Sequence, residues 1–482
     1  MALLNLEDFE YHLPLVCDLD GTLIKSNSLA ENFLKALFQS PQHVLRIIPS
    51  WLKGRAALKE TLANVRSIDP QVLPYREEML ELIRGAKASG RETYLVTAAD
   101  QSIADNITSY IGDFDGAKGS DGSLNLKGRQ KLRWLQGRFP EGFIYAGDSA
   151  ADLPIWEAAS GAVLVGNGVK FERQLREIGV EVRRVSCEKN NPVKDWLSEL
   201  RLHQWSKNVL IFMPLFFVHM QDNFCAVLKT VVAFLDFGLI ASATYIINDL
   251  ADLEADRAHA TKRFRAIAAG RISIISSFLA SMSMLAIGAG VALFLHPRFA
   301  MAVAVYLALT LAYSIRLKRY ALVDVTVIGA LFTMRIVMGE ALNDLAFSPW
   351  LLSFSAAFFF SLSLAKRHVE VMRACSKGRS AIKGRGYSSD DWPLTLGFGL
   401  ASGSASIVIM LLFITFDAPV LQTGHNPGWF YVAPAGVFIW LQRIWLLSHR
   451  MKLHDDPIVF ALTDKSSLLI VAIIALAFVL SL

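Results

Sequence analysis

The spacing of apolar residues divides the chain in two. Up to about residue 185 they come in short runs set between helical patterns. His12–Cys17, Arg91–Val96 and Gly142–Ala146 read as buried strands, while Glu77–Ala88 and Gln130–Arg138 carry the period of helices. Strands alternating with helices predict an α/β domain with a parallel sheet over residues 1–185. The turn-forming stretch Glu188-Lys189-Asn190-Asn191-Pro192 leads into Val193–Trp205, where Val193, Trp196, Leu197, Leu200 and Trp205 recur near the helical period. With Lys194, Arg201 and Lys207 among or just after them, residues 186–207 are expected to form a linker and an amphipathic helix lying at a membrane surface. From residue 208 the pattern is of long apolar segments, at roughly 208–220, 226–247, 273–295, 299–315, 321–341, 349–365, 395–416, 428–447 and 466–482. Most are near the ~20 residues a span needs. They predict an all-α polytopic membrane domain of nine transmembrane helices over residues 208–482.

Charge supports that count. With the N-terminus in the cytoplasm, the inner connections are 248–272, 316–320, 366–394 and 448–465, and each is basic. The outer connections, near 221–225, 296–298, 342–348 and 417–427, hold Arg298 as their one Lys or Arg. This is the positive-inside pattern. It predicts a multi-pass protein of the inner (cytoplasmic) membrane with the N-terminal domain in the cytoplasm. Within the spans, Arg335 is expected to face the bundle interior and Glu340 an exposed outer end. The first residues show no basic start before an apolar core, so no cleaved signal peptide is expected. Cys17, Cys187, Cys225 and Cys375 are scattered without metal-ligand spacing, which argues against a zinc site or a disulfide framework. A net charge of +5 over 482 residues is small, and no nucleic-acid partner is expected.

The three predicted strands end in reactive residues. The first runs into Asp18-Leu19-Asp20-Gly21-Thr22-Leu23, the second into Thr97, and the third into Gly147-Asp148-Ser149-Ala150-Ala151-Asp152. Parallel sheets bind ligands at such carboxyl ends. Asp18 can attack phosphorus. Asp20, two residues on, can protonate a leaving alcohol and then activate water. Thr97 and a lysine, either Lys127 or Lys131, can hold phosphoryl oxygens. Asp148 and Asp152 can bind Mg²⁺, with Asp18 and Asp20 facing the same ion. In order and type these motifs (DxD-G-T, Thr, Lys, GDxxxD) resemble the haloacid dehalogenase superfamily. The resemblance implies a Mg²⁺-dependent phosphatase rather than an ATPase, with a small helical cap over the site within about residues 26–90.

A second reactive stretch, Asn248-Asp249-Leu250-Ala251-Asp252-Leu253-Glu254-Ala255-Asp256-Arg257, lies where an apolar run stops and a basic one begins. On a continuous helix Asn248, Asp252 and Asp256 share one face, with Asp249 at its flank. Such oxygen ligands suit Mg²⁺, and the neighbouring Arg and Lys suit a diphosphate. The stretch matches the NDxxDxxxD motif of the UbiA superfamily of intramembrane prenyltransferases, which implies a Mg²⁺-diphosphate site facing the cytoplasm. The second acidic motif of that family is replaced here by Lys366-Arg367-His368-Val369-Glu370. Together with Arg201–Asn208 and Thr261–Arg265, this looks like the decaprenyl-phosphate phosphoribosyltransferase subgroup, apart from Ala266 where proline is expected. By that resemblance Asn248, Asp249, Asp252 and Asp256 hold Mg²⁺ and pyrophosphate. Lys207, Asn208, Lys262, Arg263, Arg265, Tyr313, Lys318, Lys366 and Arg367 bind phosphates of either substrate, and Glu370 supports the lysine or the ribose.

The two halves predict one bifunctional enzyme. The membrane half transfers 5-phosphoribose from phosphoribosyl pyrophosphate to a polyprenyl phosphate, and the N-terminal domain removes the 5′-phosphate, with both sites cytoplasmic. A prenyltransferase using a polyprenyl diphosphate and an aromatic acceptor is the alternative, and a transporter with a regulatory soluble domain is a further one. Lipid length, oligomeric state and the identity of the diphosphate substrate stay open at this level.

Overall fold

The computed structural model describes residues 12–39, 68–121, 125–185, 191–217, 223–378, 380, 382, 385–417, 427–453, 460 and 463–481. The middle of the expected cap (40–67), the start of the linker (186–190), parts of two outer connections (218–222 and 418–426) and Cys187, Arg379 and Lys383 lie outside these. The chain forms two compact units, residues 1–200 with 245–281, and residues 201–244 with 282–482.

The first unit is built on six parallel strands in the order β3-β2-β1-β4-β5-β6. They are β1 (Leu15–Cys17), β2 (Thr93–Asp100), β3 (Gly116–Ser120), β4 (Ile144–Gly147), β5 (Gly161–Leu164) and β6 (Glu181–Arg184). Alternation splits the side chains between two cores. Leu15, Cys17, Leu95, Ile144 and Ala146 join one, and Val16, Val96, Tyr145, Ala162 and Leu164 join the other. Burial on both faces explains why these strands read as continuous apolar runs. The sequence-predicted strands are the three central ones. The chain passes from β1 to β2 and β3 on one side, then returns to β4 on the other. The carboxyl ends of β1 and β4 therefore flank the topological switch point. Helices α1 (Ser28–Gln39), α2 (Glu77–Ala88), α3 (Gln101–Ile111), α4 (Arg129–Arg138) and α5 (Pro192–Leu200) complete the α/β part.

The remaining helices are long and apolar: α6 (Phe224–Ala251), then, after the short α7 (Leu253–Arg257), α8 (Ile274–Leu295), α9 (Pro297–Ile315), α10 (Val323–Leu342), α11 (Pro349–Ser376), α12 (Trp392–Leu412) and α13 (Val432–His449). Among the described residues seven helices are long and apolar enough to cross a membrane, and α14 (Lys465–Ser481) is a shorter apolar one. The first expected span, 208–220, is not a long helix among these residues. Leu202–Phe212 is a 3₁₀ segment and Met213–Phe217 a single short helix. Packing explains the irregular backbone. A Cβ on Gly238 would lie 2.6 Å from the Trp205 ring, and one on Gly339 would lie 2.2 Å from the Ile211 carbonyl oxygen. Trp205 also donates to Ser242 Oγ at 3.0 Å. The segment is pressed into protein, which is where a membrane domain tolerates non-helical backbone.

Arg335 is buried as expected. Its Nε donates to Asn208 Oδ1 at 3.1 Å and its guanidinium lies 5.3 Å from the Tyr306 and Phe237 ring centres. Glu340, expected at an exposed outer end, is instead 2% exposed and accepts from the Ser348 amide. Helix α10 is buried over much of its length, so its last turn is not a free end.

Candidate active sites

At the switch point of the first unit the sheet brings together residues far apart in sequence. Asp18 leaves β1, Asp148 leaves β4, and Asp152 follows one turn later. Ligand atoms of these three carboxylates lie within 4.8 Å of one another, and no other group of His, Cys, Asp or Glu among the described residues is gathered so closely. Two glycines make the approach possible. Gly21 has φ +76°, and a Cβ there would sit 2.2 Å from Asp148 Oδ2. A Cβ on Gly147 would meet Asp152 Cγ at 2.9 Å.

Lys131, 3% exposed, donates to Asp18 Oδ1 at 2.8 Å and contacts the Tyr145 hydroxyl at 2.9 Å. Tyr145 donates onward to Asp152 Oδ1 at 2.9 Å, and Ser149 holds Asp152 Oδ2 through its amide and hydroxyl. Lys127 lines the same cavity, and no bond from its ammonium to these carboxylates is seen. Thr97 is buried, and its hydroxyl accepts from the Ala99 amide at 3.0 Å. It lies within β2 rather than after it, where pairing with β3 shifts between Val96 and Asp100. Asp20 stands outside the carboxylate trio. Its oxygens accept from the Ser28 amide at 2.8 Å and the Ser28 hydroxyl at 3.0 Å.

Electrostatics follows from crowding. Burial, then Asp152 and Asp20 acting against the relief from Lys131, raises the Asp18 carboxyl to about 6. Burial, then Asp18 and Asp152, raises Asp148 to about 7. Burial alone would lower the Lys131 ammonium, but Asp18 and Asp152 outweigh it and hold it above its ordinary value. Three crowded carboxylates, two of them reluctant to ionise, fit a divalent cation, which would relieve their repulsion. Tyr145 was not legible as part of this site. Its only signal is that it precedes Gly147-Asp148 on a strand otherwise made of small and aliphatic residues.

The acidic stretch belongs to the same unit. Helix α6 stops at Ala251 and α7 starts at Leu253, so Asp252 falls at a break. Helical spacing survives across it, since the Asp252 amide bonds to Asn248 O at 2.9 Å and the Asp256 amide to Asp252 O at 2.8 Å. Asp249 and Asp256 are buried, and Asp252 is exposed. Arg265 joins the two buried carboxylates, 2.9 Å from Asp249 and 2.5 Å from Asp256, and Lys262 lies 3.5 Å from Asp256. Arg263 stacks on Phe264 instead.

The second unit gathers other predicted residues around Asp324, which is fully buried. Arg367 pairs with it at 2.9 Å and also with Glu370. Tyr387 donates to it at 2.7 Å, and Arg385 bridges it to the Tyr313 hydroxyl. Asp324, Arg385 and Tyr387 were not among the predicted ligands. Lys366 is exposed, Lys318 is half-buried, Asn208 is held by Arg335, and Lys207 lies 5.7 Å from the Phe332 ring centre.

Residues 210–479 match the model of the UbiA prenyltransferase family. The chain belongs to that family. An uncharacterized protein, y4nM, of Sinorhizobium fredii is 72% identical over 481 residues, covering 100% of this chain and 93% of that protein. A decaprenyl-phosphate phosphoribosyltransferase of Mycobacterium tuberculosis is 32% identical over 252 residues, covering 50% of this chain and 80% of its own. Among solved structures, a probable phosphoserine phosphatase from Vibrio cholerae covers 38% of this chain and 64% of that one at 15% identity. The TM-score is 0.26. As a UbiA protein with seven candidate spans among the described residues, the chain is a multi-pass membrane protein, and residues with haloacid dehalogenase-like motifs precede the family match.

Proposed function

We propose that this UbiA protein is a bifunctional enzyme of lipid-linked sugar synthesis. The membrane domain (208–482) would transfer 5-phosphoribose from phosphoribosyl pyrophosphate to a polyprenyl phosphate, and the N-terminal domain (1–185) would remove the 5′-phosphate. The observation that carries this reading is the coupling of two features in one chain. One is the Asp18–Lys131–Tyr145–Asp152 network beside Asp148. The other is a family domain with phosphoribosyltransferase relatives.

In the phosphatase step Asp18 attacks phosphorus and the bond to the leaving alcohol breaks. Asp20, steadied by Ser28, gives that alcohol its proton. Water then cleaves the aspartyl phosphate as Asp20 takes a proton back. Lys131 and Thr97 hold the phosphoryl oxygens. Mg²⁺ held by Asp148, Asp152 and Asp18 would supply charge neutralisation between carboxylates and phosphate. In the transferase step an oxygen of the lipid phosphate attacks the anomeric carbon of the ribose as its bond to pyrophosphate breaks; Asn248, Asp249, Asp252 and Asp256 would hold Mg²⁺, which would neutralise the leaving pyrophosphate, and Lys262, Arg263 and Arg265 receive the remaining charge. Lys207, Asn208, Tyr313, Lys318, Lys366, Arg367 and Glu370 bind the remaining phosphate and ribose groups. Nine spans in the inner membrane, with both sites cytoplasmic, complete the proposal, and the alternating charge of the connections supports it.

The test uses purified full-length protein with Mg²⁺, polyprenyl phosphate and ribose-labelled phosphoribosyl pyrophosphate, with lipid products weighed by mass spectrometry. Labelled lipid without a 5′-phosphate is expected, and Asp18→Asn should accumulate the phosphorylated lipid. No labelled lipid from folded protein would overturn the transferase assignment in favour of an aromatic acceptor.

A further inference from the structure

The phosphatase cavity is larger and more varied than a phosphoryl group needs. It encloses about 610 Å³, and its lining includes Asp18, Thr97, Lys131 and Asp148. Ser26 and Asn32 line it too. The Ser26 hydroxyl and the Asn32 amide oxygen are buried with no hydrogen-bond partner, and Asn32 is 3% exposed. A buried polar atom left unpaired is costly, and a ligand hydroxyl would relieve that cost. An apolar part of the lining comes from a distant part of the chain: Ile267, Ile272, Ile274 and Ile275.

That wall is held firmly to the α/β part. Arg257 makes a two-pronged pair with Glu31 at 3.1 and 2.7 Å, both side chains buried. Arg271 pairs with Asp195 at 2.9 Å, and the Ile267 amide donates to the buried Glu199. Gly270, at φ +72°, lies so near Lys25 that a Cβ would come within 2.7 Å of the lysine Cβ. Ile274 and Ile275 open α8, itself long and apolar enough to cross a membrane. The apolar zone thus runs from the cavity into the first turn of a candidate span.

Resting on the phosphatase reading above, we infer that the site takes a phosphomonoester of a hydroxyl-bearing group carried on an apolar chain. Residues 267–275 set that specificity, and Asn32 and Ser26 receive the hydroxyls. The site thus offers a phosphate, a hydroxyl and a hydrocarbon part; ribose 5-phosphate uses the first two, and p-nitrophenyl phosphate lacks the hydroxyls.

The experiment compares kcat/KM of full-length protein in nanodiscs for polyprenyl-phosphoryl ribose 5-phosphate, ribose 5-phosphate and p-nitrophenyl phosphate. Wild type is expected to prefer the lipid-linked ester over ribose 5-phosphate by at least about 100-fold, the scale of a few buried methylenes. Ile275→Asp, at a side chain 55% exposed, should cut that ratio at least about tenfold. Asn32→Leu should lower the ratio of ribose 5-phosphate to p-nitrophenyl phosphate. A wild type that hydrolyses all three without lipid preference overturns the inference and leaves the phosphatase standing. An unchanged ratio in Ile275→Asp, or equal losses on every substrate, also overturns it. Hydrolysis of none of the three overturns the phosphatase reading and the inference together.

Discussion

Replacing Lys131 by Met removes one charge and keeps most of the stem, and the structure sets the scale of the effect. The ammonium lies 2.8 Å from Asp18 Oδ1, with the two side chains 3% and 14% exposed. At an effective dielectric of about 20 this pair attracts by about 6 kcal/mol before desolvation is counted. Breaking a buried pair from one side typically costs about 3–5 kcal/mol. Asp18 can escape part of that by holding its proton, since burial already lifts it to about 6. The variant should therefore fold, with Asp18 titrating higher still. Loss of a donor to the phosphoryl oxygens should lower kcat about 10²–10³-fold. The acidic limb of the kcat/KM profile should move to higher pH. The assay is phosphate release from p-nitrophenyl phosphate across pH with saturating Mg²⁺, with transferase turnover of the same sample as the check on folding. If Lys131→Met keeps its rate while Lys127→Met loses it a hundredfold, the assignment of the phosphoryl-binding lysine to Lys131 is refuted.

Gly21→Ala should abolish phosphate release, because its Cβ would fall 2.2 Å from Asp148 Oδ2 and a left-handed alanine costs about 1–2 kcal/mol besides. Transferase turnover of the same protein should persist, and equal loss of both would count against the reasoning. Arg257→Ala strands a buried carboxylate on Glu31, so a double-mutant cycle with Glu31→Ala should give a coupling of about 3–5 kcal/mol in denaturant melts. A coupling near zero would make the pair incidental. Without Mg²⁺, Asp18 and Asp148 keep protons in the folded state up to about 6 and about 7 that the unfolded chain has already released. Metal-free stability should fall as pH rises through that window. The gain in melting temperature on adding Mg²⁺ should be larger at pH 8 than at pH 5, and an equal gain would contradict the crowding argument.

What the sequence disclosed depended on how local each signal was. The three central strands and the motifs at their ends were legible because each is contiguous, and both faces of the strands are buried. Strands β3 and β6 were not, since Gly116–Ser120 and Glu181–Arg184 carry few apolar residues, and β5, Gly161–Leu164, is apolar but only four residues long. The choice between Lys127 and Lys131 stayed open because it depends on how the loop before α4 and the first turn of α4 place the two side chains. Tyr145 and Asp324 were missed because buried networks join residues more than 10 positions apart, as Asp324 does with Arg367 and Tyr387. The first apolar segment looked like a span by composition, and only the close approach at Gly238 and Gly339 explains its 3₁₀ backbone. Glu340 was misplaced for the same reason, since a charge near a helix end looks exposed until its neighbours are known.

The wall contributed by residues 257–275 has a consequence for biosynthesis. Every strand of the sheet has been synthesised once residue 184 is made, yet Glu31, Asp195 and Glu199 gain these partners only after Arg257, Ile267 and Arg271 follow. Between them the chain must make α6, a helix fit to enter the bilayer. At translation rates of about 5–20 residues per second the delay is several seconds at least. During that time the N-terminal part waits with carboxylates uncovered, and its completion is tied to insertion of the first long helix. Truncation after residue 200 should therefore yield a nascent domain that is easily proteolysed, however sound its sheet.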